Sequence, residues 1–464
     1  MGINSQIDLI GRLKECAETL TKWSRNDLGF YAKKIKEKRK LLHEAVQADR
    51  DGSKGDEIDY LRKEINELLD EEEIRWNQRS RVDWLKLGDR NTQYFYHKAS
   101  QRKRKNEIKG LWDKDGRWCE DIGDIANIAI DYFSELFTTS SPTIAVDVAD
   151  TVQRCITEEM NEQLTKEFQK EEIIQAISQM HPTKAPNLDG MSAVFYQKYW
   201  DIIGDDVCSI ILNTLNANAS LADLNKTNIV LIPKTNRPTK MSEFRPISLC
   251  NVSYKIISKV LANKLKPILN SIISENQSAF VPGRLITDNV LVAFEIMHYL
   301  KKKRNGSEGF MVVKLDISKA YDRVEWVFLE KIMEKMGFNN KWISLMMNCI
   351  SSVSYSVLIN GVIHGNIIPT RGLRQGDPLS PYLFLLCAEG LTGLIVEAAR
   401  DKRLSGISIC KGSPSITHLL FVDDSVIYCK TSGQESKELQ TILQKYEEAT
   451  SRPENKHREV INFL

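Results

Sequence analysis

Apolar residues recur at helical spacing through the first part of the chain. Within YLRKEINELLDEEEIRW, Leu61, Ile65 and Leu68 lie three or four residues apart, and charged residues fill most other positions. This spacing predicts long helices with one apolar stripe over residues 1–110. Residues 49–56, DRDGSKGD, predict a turn between two such helices, because Gly and Asp cluster there without apolar residues. The pattern is typical of a helical hairpin that braces or spaces neighbouring parts of a protein.

The pattern changes twice further along the chain. Residues 111–225 alternate apolar helical stretches with two loops: residues 137–143, FTTSSPT, look like a linker, and residues 181–190, HPTKAPNLDG, like an ordered loop. Residues 226–430 contain short β-rich runs separated by helical stretches; the runs are NIVLIP, FMVVKLDI, SYSVLI and HLLFVDDSVIYC. Strands interleaved with helices predict an α+β fold with one mixed sheet covered by helices.

Composition narrows the classes of protein. The chain has 464 residues, of which 42% are hydrophobic and 27% charged, so it can bury a sizeable core in two or three compact units. Its net charge is only +2, so any surface that binds nucleic acid must be local. Nine cysteines without a CxxC pair disfavour a disulfide framework and a zinc knuckle. No secretory signal and no apolar run of 18 residues is present, so we expect an intracellular protein without a membrane partner.

A basic run follows a group of aromatic residues near position 100. Residues 94–96 read YFY, and residues 102–105 read RKRK. Such a combination can follow a phosphate backbone and stack against bases. A solvated helix face and a nuclear-localisation patch have the same composition, so these three interpretations stay open.

Three aspartates stand at the ends of apolar strands. One run ends at Asp316 in FMVVKLDISKAYDRVEW, and Asp423 and Asp424 join the two apolar halves of HLLFVDDSVIYCK. An acidic pair at the tip of a hairpin is exposed, and its flanking strands fix its position. If the hairpin lies beside the strand that ends at Asp316, the three carboxylates converge. They could then hold two Mg²⁺ ions, which lie about 3.5–4 Å apart in polymerases.

A second acidic pair offers an alternative. Gly204-Asp205-Asp206 matches the letters of a viral RNA polymerase signature, which keeps an RNA-dependent RNA polymerase open. Val207 and Ile211 continue a helical spacing after it, so the pair is expected near a helix N-terminus, where acidic residues are favourable. A helix at this position would exclude the alternative.

A polar loop leads into a strongly apolar helix predicted to begin near Ser380. The loop, TRGLRQGDP, contains Arg371, Arg374, Gln375 and Gly376. Gly376 allows a close backbone approach, and Gln375 offers both a donor and an acceptor. Such a loop beside a strand platform suits contact with a base pair and a triphosphate. The helix is expected in the core, whereas packing alone does not readily explain the loop.

Six segments occur in the order seen in LINE-type (non-LTR) retrotransposon reverse transcriptases, especially those of plant genomes. They are LIPK, FRPISLCNVSYKIISKVLANKL, NQSAFVPGRLITDNVL, KLDISKAYDRV, LRQGDPLSPYLF and FVDDSVIY. The resemblance extends from about residue 80 to residue 430. It implies right-hand polymerase fingers and palm with a mixed sheet, preceded by a largely helical N-terminal region.

The resemblance assigns roles to single residues. Asp316, Asp423 and Asp424 match the catalytic carboxylates that bind two Mg²⁺ ions. The remaining candidates are implied to bind the incoming nucleotide: Arg245, Lys234, Ile317, Tyr321, Gln375 and Gly376.

These nucleotide-binding roles differ in kind. Arg245 matches the fingers arginine that pairs with the triphosphate, where bidentate geometry favours Arg, and Lys234 is a weaker candidate for the same charge. The carbonyl of Ile317 would assist the metal ligands. Tyr321 matches the steric gate that rejects a ribose 2′-hydroxyl, although a core aromatic would occupy the same position. Gln375 and the glycine after it match the motif B loop.

Two further aspartates in these segments are expected to be structural. Asp322 and Asp377 would accept local backbone hydrogen bonds.

The implied reaction is template-directed DNA synthesis on an RNA template, from a DNA primer and dNTPs, in the nucleus or the cytoplasm. The chain departs from the family in ways that affect this expectation. Residues 1–80 contain only helical connector in place of the usual endonuclease, APNLDG replaces a loop with Gly-Pro, and Val422 replaces a commoner Ala.

The strongest departure lies in the tail, residues 431–464. After LQKYEEAT the chain reads SRPENKHREVINFL, where the family continues with SGQKIN-like text into motif D and a thumb. We interpret this tail as truncated and frame-shifted, so that the motif D lysine, a general acid for the leaving pyrophosphate, and the thumb are absent. A palm without its thumb should bind template poorly. A non-catalytic element remnant, or an RNA-binding protein that retains the palm fold, is therefore the alternative.

Overall fold

The computed structural model describes residues 2–27, 31–50, 52–80, 92–187, 189–217, 219–303, 309–316, 319–422, 424–450 and 458–463. The N-terminal region consists of helices α1 (Gly2–Asp27), α2 (Tyr31–Ala48), α3 (Gly55–Ser80) and α4 (Thr92–Asn106). The predicted stripe is present, because Leu61 and Ile65 are buried on α3. The predicted turn also lies where expected, between the end of α2 and the start of α3.

The next segment is mainly helical. It contains β1 (Leu111–Trp112), β2 (Trp118–Cys119), α5 (Ile122–Leu136), α6 (Ala145–Ala149), α7 (Glu158–Thr165), α8 (Lys170–Ser178), α9 (Ala193–Lys198) and α10 (Trp200–Ala217). Asp205 and Asp206 lie in the second turn of α10, where they pair with Lys170 (2.6 Å) and Arg12 (2.8 Å). The acidic pair therefore lies within a helix and not at its N-terminus. An RNA polymerase centre at this site is excluded.

Strands and helices alternate in the remainder of the chain. The elements are β3 (Lys226–Pro233), β4 (Phe244–Leu249), α11 (Val252–Leu265), α12 (Leu269–Ile272), α13 (Ile286–Lys302), β5 (Phe310–Asp316), α14 (Trp326–Met336), α15 (Asn340–Ser351), β6 (Ser354–Ile359), β7 (Val362–Ile367), α16 (Ser380–Arg400), β8 (His418–Phe421), β9 (Asp424–Lys430), α17 (Gly433–Thr450) and β10 (Arg458–Phe463).

Strands β3 to β10 form two separate four-stranded sheets, and β1 pairs only with β2 among the described strands, so the expectation of one mixed sheet is wrong. The first sheet has the order β4-β3-β6-β7 and is mixed, because β3 and β6 are parallel. The second has the order β10-β5-β9-β8 and is antiparallel throughout. Apolar runs identify strands but do not specify their partners, which explains the error.

Helices cover the second sheet on both faces. Met311, Val313 and Ile427 pack into the main core, which also contains the buried sides of α11, α14 and α16. Val312 and Tyr428, on the opposite face, pack against α13. The sheet is therefore held from both sides, and its strand ends remain available for a site.

The apolar helix predicted near Ser380 is α16. Among the described helices it alone has the length and apolar composition to cross a membrane, yet 72% of its most apolar stretch is buried within the protein. The apolar composition of α16 is thus explained by its burial in the core, as expected.

Residues 108–137 pack on the first sheet. Ile125, Ala129 and Phe133 of α5 share a core with Ile229 and Val357 of that sheet. The helical segment and the β-rich segment are thus joined by packing. The domain boundary at residues 225 and 226 remains a prediction.

The segment expected to be a linker is instead held firmly. Glu325 accepts hydrogen bonds from Ser140 N (2.9 Å) and from the side chains of Thr139 and Ser140, and Phe137 O accepts from Thr370 N (2.8 Å). Glu325 is fully buried and also pairs with buried Arg371 at 3.2 Å. A run of Ser and Thr resembles a linker in sequence because its buried partner lies almost 190 residues away.

The other loop is ordered, as predicted. Asn187 is buried, and its Nδ2 donates to Lys226 O (2.6 Å) and to Asn251 Oδ1 (2.9 Å). Residues 181–190, of which Leu188 lies outside the described residues, are therefore tied to the start of β3.

Candidate active site

The second sheet brings two of the predicted carboxylate positions together. Strands β5 and β9 are antiparallel, and their last residue pair is Asp316 with Asp424. Asp424 is exposed, with 58% of its side chain accessible. The side chain of Asp316 and the whole of Asp423 lie outside the described residues. The backbone register thus confirms that the hairpin lies beside the strand that ends at Asp316.

The donor set suits a hard divalent cation. Carboxylate oxygens are the ligands that Mg²⁺ prefers, and an exposed carboxylate at a strand end leaves room for waters and substrate phosphates. Among the described side chains, no group of three acidic, His or Cys residues could hold a metal ion. Of the three predicted ligands, only Asp424 has its side chain among them.

A lysine that the sequence did not single out lies beside this carboxylate. Lys314 Nζ is 3.7 Å from Asp424 Oδ1, and both side chains are about half exposed. Lys314 lies on β5 two residues before the end of the strand at Asp316. Such an exposed pair contributes little to stability. The ammonium group instead places positive charge at the mouth of the site. The sequence KLD shows a lysine two residues before Asp316, but only the pairing of β5 with β9 reveals that this lysine lies beside Asp424.

The turn that carries the acidic pair is short and strained. Phe421 pairs with Asp424, so only Val422 and Asp423 connect β8 with β9. Two-residue hairpins of this kind need a positive φ, which usually selects Gly or Asn. Val422 has a φ of 56°, a conformation that a β-branched residue rarely adopts. Strain of this kind costs about 1–3 kcal/mol and must be held by surrounding contacts.

A cleft opens next to Asp424. It has a volume of about 270 Å³ and lies between α13 and the β8–β9 hairpin. Its walls are largely apolar and include Ile286, Val290 and Leu419, together with Lys314. Asp424 is one of the residues that line the cleft, so a ligand bound there would contact the carboxylate.

The polar loop before α16 is anchored by a buried ion pair. Arg374 and Asp377 are 3% and 4% exposed and lie 2.8 Å apart. Asp377 also accepts from Tyr254 Oη (2.9 Å) and from Leu379 N (3.0 Å), in agreement with the structural role predicted for it. Burial raises the pKa of Tyr254 well above its usual range, so it remains a neutral donor. Packing therefore explains more of this loop than we expected.

The anchors leave the two candidate residues at the surface. Gln375 is half-buried and Gly376 is exposed, between buried Arg374 and Asp377. Gln375 O accepts from Ser248 N at 2.9 Å, which ties the loop to β4. Gly376 has a φ of 110°, and a Cβ there would lie 3.1 Å from Ser248 O. A glycine is required at this close approach.

The two candidate phosphate ligands lie on the first sheet. Arg245 is exposed on β4 opposite Ile232, and Lys234 is exposed just beyond β3, where its Nζ donates to Ser242 O at 3.3 Å. Burial raises the pKa of Asp322 to about 7, and the positive charges of Lys319 and Lys234 oppose this rise. The charge of Lys234 thus acts on Asp322, in the segment that follows Asp316.

Tyr321 lies between that segment and α16. Its ring stacks on Phe384 with centroids 4.9 Å apart and planes 12° from parallel, and its carbonyl accepts from Leu373 N at 2.7 Å. The side chain is half-buried. Both the gate and the core interpretations are compatible with this position. Ile317, the last nucleotide candidate, lies outside the described residues.

Comparison with known proteins agrees with this arrangement. Residues 232–456 match the family model for reverse transcriptase (RNA-dependent DNA polymerase). The chain is 28% identical over 375 residues to an uncharacterized 149 kDa protein of transposon TX1 from Xenopus laevis, an alignment that covers 80% of this chain and 28% of that protein.

Two further relatives match shorter parts of the chain. An uncharacterized mitochondrial protein of Arabidopsis thaliana is 57% identical over 68 residues, which cover 15% of this chain and 56% of that protein. A Pol polyprotein from a type-2 retrotransposable element of Drosophila melanogaster is 26% identical over 202 residues, which cover 44% of this chain and 18% of the polyprotein. The chain thus spans between about a fifth and just over half of these relatives. Its residues 232–456 form a domain of the reverse transcriptase family, of the kind found in non-LTR retrotransposons.

Proposed function

We propose that this chain is an RNA-directed DNA polymerase of a non-LTR retrotransposon. The observation that carries the proposal is the pairing of Asp316 with Asp424 at the end of β5, within a domain of the reverse transcriptase family. The second sheet serves as the palm. In the proposed reaction the primer 3′-oxygen forms a bond to the α-phosphorus of a dNTP, and the bond from that phosphorus to pyrophosphate breaks.

Asp316, Asp423 and Asp424 would hold the cofactor, two Mg²⁺ ions. When bound, these ions would supply the charge that activates the primer oxygen and stabilises the leaving oxygens. The residues of the chain fix where this happens. The β5–β9 register sets the distance between the two strand ends, and Lys314 contributes a positive charge next to Asp424.

The incoming nucleotide would lie between the two sheets. Arg245 and Lys234 are exposed on the first sheet and offer cations for its phosphates. Gln375 and Gly376 would contact the base pair from a loop that a buried ion pair holds in place. Tyr321 would exclude a ribose 2′-hydroxyl. The carbonyl of Ile317 would complete this set next to the metal ligands.

The RNA template and DNA primer need a basic surface, and α4 offers one. Lys98 and residues 102–105 are exposed on this helix, and none of these cations has an acidic side chain within ion-pair distance among the described residues. Lys103 and Arg104 also border a cleft of about 530 Å³ against the first sheet. Exposed cations that lack acidic partners remain available for phosphates.

A primer-extension assay on poly(rA)/oligo(dT) with Mg²⁺ tests the proposal. The full chain should incorporate dTTP, and Asp424→Asn should lower the rate by at least about a hundredfold, because metal charge contributes several kcal/mol to such reactions. Asp205→Asn, in the other acidic pair, is the matched control and should retain activity. Binding of the primer-template without incorporation would instead support the RNA-binding alternative.

A further inference from the structure

We propose that Gln277 is a positioning residue for the turn that carries Asp423 and Asp424. The predicted effect of Gln277 on catalysis rests on the proposed polymerase function, whereas its effect on the turn does not. Gln277 belongs to a short segment that runs along the β8 edge of the second sheet, which we call the palm sheet. Leu420 N donates to Asn276 O at 2.8 Å, Ser278 N donates to Leu420 O at 3.3 Å, and Gln277 forms a parallel bridge with Leu420. The segment therefore extends the sheet beyond β8.

The side chain of Gln277 reaches from this edge to the turn. Its residue is fully buried, and its Oε1 accepts hydrogen bonds from Ala279 N (3.0 Å) and from Val422 N (3.3 Å). Val422 is the residue with the positive φ that precedes Asp423. One buried oxygen thus joins the added edge segment to the strained residue of the catalytic turn.

The other end of the same amide is unused. Gln277 Nε2 is buried and has no hydrogen-bond partner among the described residues. An unsatisfied buried donor costs about 1–3 kcal/mol, so packing and stability alone would favour an apolar residue here. A polar side chain at this position is explained by its acceptor oxygen, which receives Ala279 N of its own segment and Val422 N of the turn.

A second amide keeps the segment itself in place. Asn289 Nδ2, on α13, donates to Asn276 O (3.0 Å) and to Leu420 O (2.8 Å). Hydrogen bonds therefore connect α13 to the edge segment, and the edge segment to Val422, without a gap. Strained conformations persist only when their surroundings hold them, and catalytic groups need a supporting shell of this kind.

The test compares Gln277→Met, which keeps the length but removes both polar atoms, with Gln277→Glu, which keeps an acceptor oxygen. Asn161→Leu is the control, because Asn161 is also a buried amide that joins two segments, at Gly337 O and Asn339 N, away from the palm sheet. Hydrogen exchange at the Val422 amide, Mn²⁺ binding by electron paramagnetic resonance, thermal stability and steady-state kinetics are measured on the full chain.

Gln277→Met should speed exchange at Val422 by about tenfold, the loss of one hydrogen bond, and should weaken Mn²⁺ binding. It should lower kcat by about tenfold with little change in KM for dTTP, because the turn and not the nucleotide pocket is displaced. Gln277→Glu should keep slow exchange at Val422. Asn161→Leu should lower Tm and leave the turn, Mn²⁺ binding and kcat unchanged.

Unchanged exchange and Mn²⁺ binding in Gln277→Met would overturn the inference, as would fast exchange at Val422 in Gln277→Glu. If Gln277→Met does not fold, exchange at Val422 in Gln277→Glu decides whether the inference holds. A wild-type chain that incorporates no nucleotide would contradict the proposed function, whereas exchange and Mn²⁺ binding would still decide the role of Gln277.

Discussion

Two buried ion pairs hold the loops around the site in place. Arg371 pairs with Glu325 and Arg374 pairs with Asp377, and all four residues are almost completely buried. Removing one partner from such a pair usually costs about 3–5 kcal/mol, because it leaves an uncompensated buried charge. The letters TRGLRQGDP suggest a loop that binds a ligand. In the structure, its two arginines are anchors, and Gln375 and Gly376, which lie between Arg374 and Asp377, are presented at the surface.

Tyr321 has two interpretations that substitution can separate. Tyr321→Ala should raise the efficiency with rNTP relative to dNTP by at least about tenfold, since removing the ring removes the clash with a 2′-hydroxyl. Tyr321→Phe keeps the ring and its stacking on Phe384, so it should keep discrimination. Competing incorporation of rTTP and dTTP gives the ratio. An unchanged ratio in Tyr321→Ala, together with a lower Tm, would show that the ring serves only the core.

At the scale of elements, the hairpin β8–β9 shows how a strand pair can position a site. Its two-residue turn forces Val422 into a positive φ, and β5 pairs along the whole of β9. The prediction that an acidic pair lies at a hairpin tip followed from two apolar runs. The edge segment at residues 276–278 could not be predicted, because its contact with Leu420 is a single bridge without a periodic pattern.

Helix α4 is the element whose charge should govern affinity for nucleic acid. Replacing residues 102–105 by Ala should weaken binding to the primer-template and reduce the slope of log Kd against log salt by about 0.7–0.9 for each phosphate that is no longer neutralised. The control replaces the exposed residues Lys33, Lys34, Lys36 and Arg39 of α2 by Ala, which removes the same charge from another helix. Titrations by fluorescence anisotropy at several salt concentrations give both slopes. Equal slopes for the two variants would assign the basic run to solvation or to nuclear localisation.

At the scale of the whole molecule, the sequence predicted the elements better than their assembly. The helices of the N-terminal region, α16 and the strands at Asp316 and Asp424 lie where their patterns indicate. The division into two sheets and the packing of α5 on the first sheet depend on contacts between distant residues, which periodicity does not encode. Lys314 was missed for the same reason, because only the pairing of β5 with β9 places it beside Asp424.

The pairing of the tail also could not be predicted from the sequence. Residues 458–463 form β10, which pairs with β5 on the side opposite β9. Residues 451–457 lie outside the described residues. The frame-shift interpretation concerns the gene and stays a prediction. A GQKIN-like phrase in the shifted frame of the gene would support it.

The metal centre at the end of β5 is the central claim, and mapping it on the full chain tests it most directly. Fe²⁺ with ascorbate and peroxide cleaves a polypeptide next to the bound ion. We expect cleavage at two places, near Asp316 and near Asp424, because the strand register holds these positions together. Excess Mg²⁺ and Asp424→Asn should both suppress the cuts, whereas Asp205→Asn should not. Cuts elsewhere, or cuts at these places that persist in Asp424→Asn, would contradict the account.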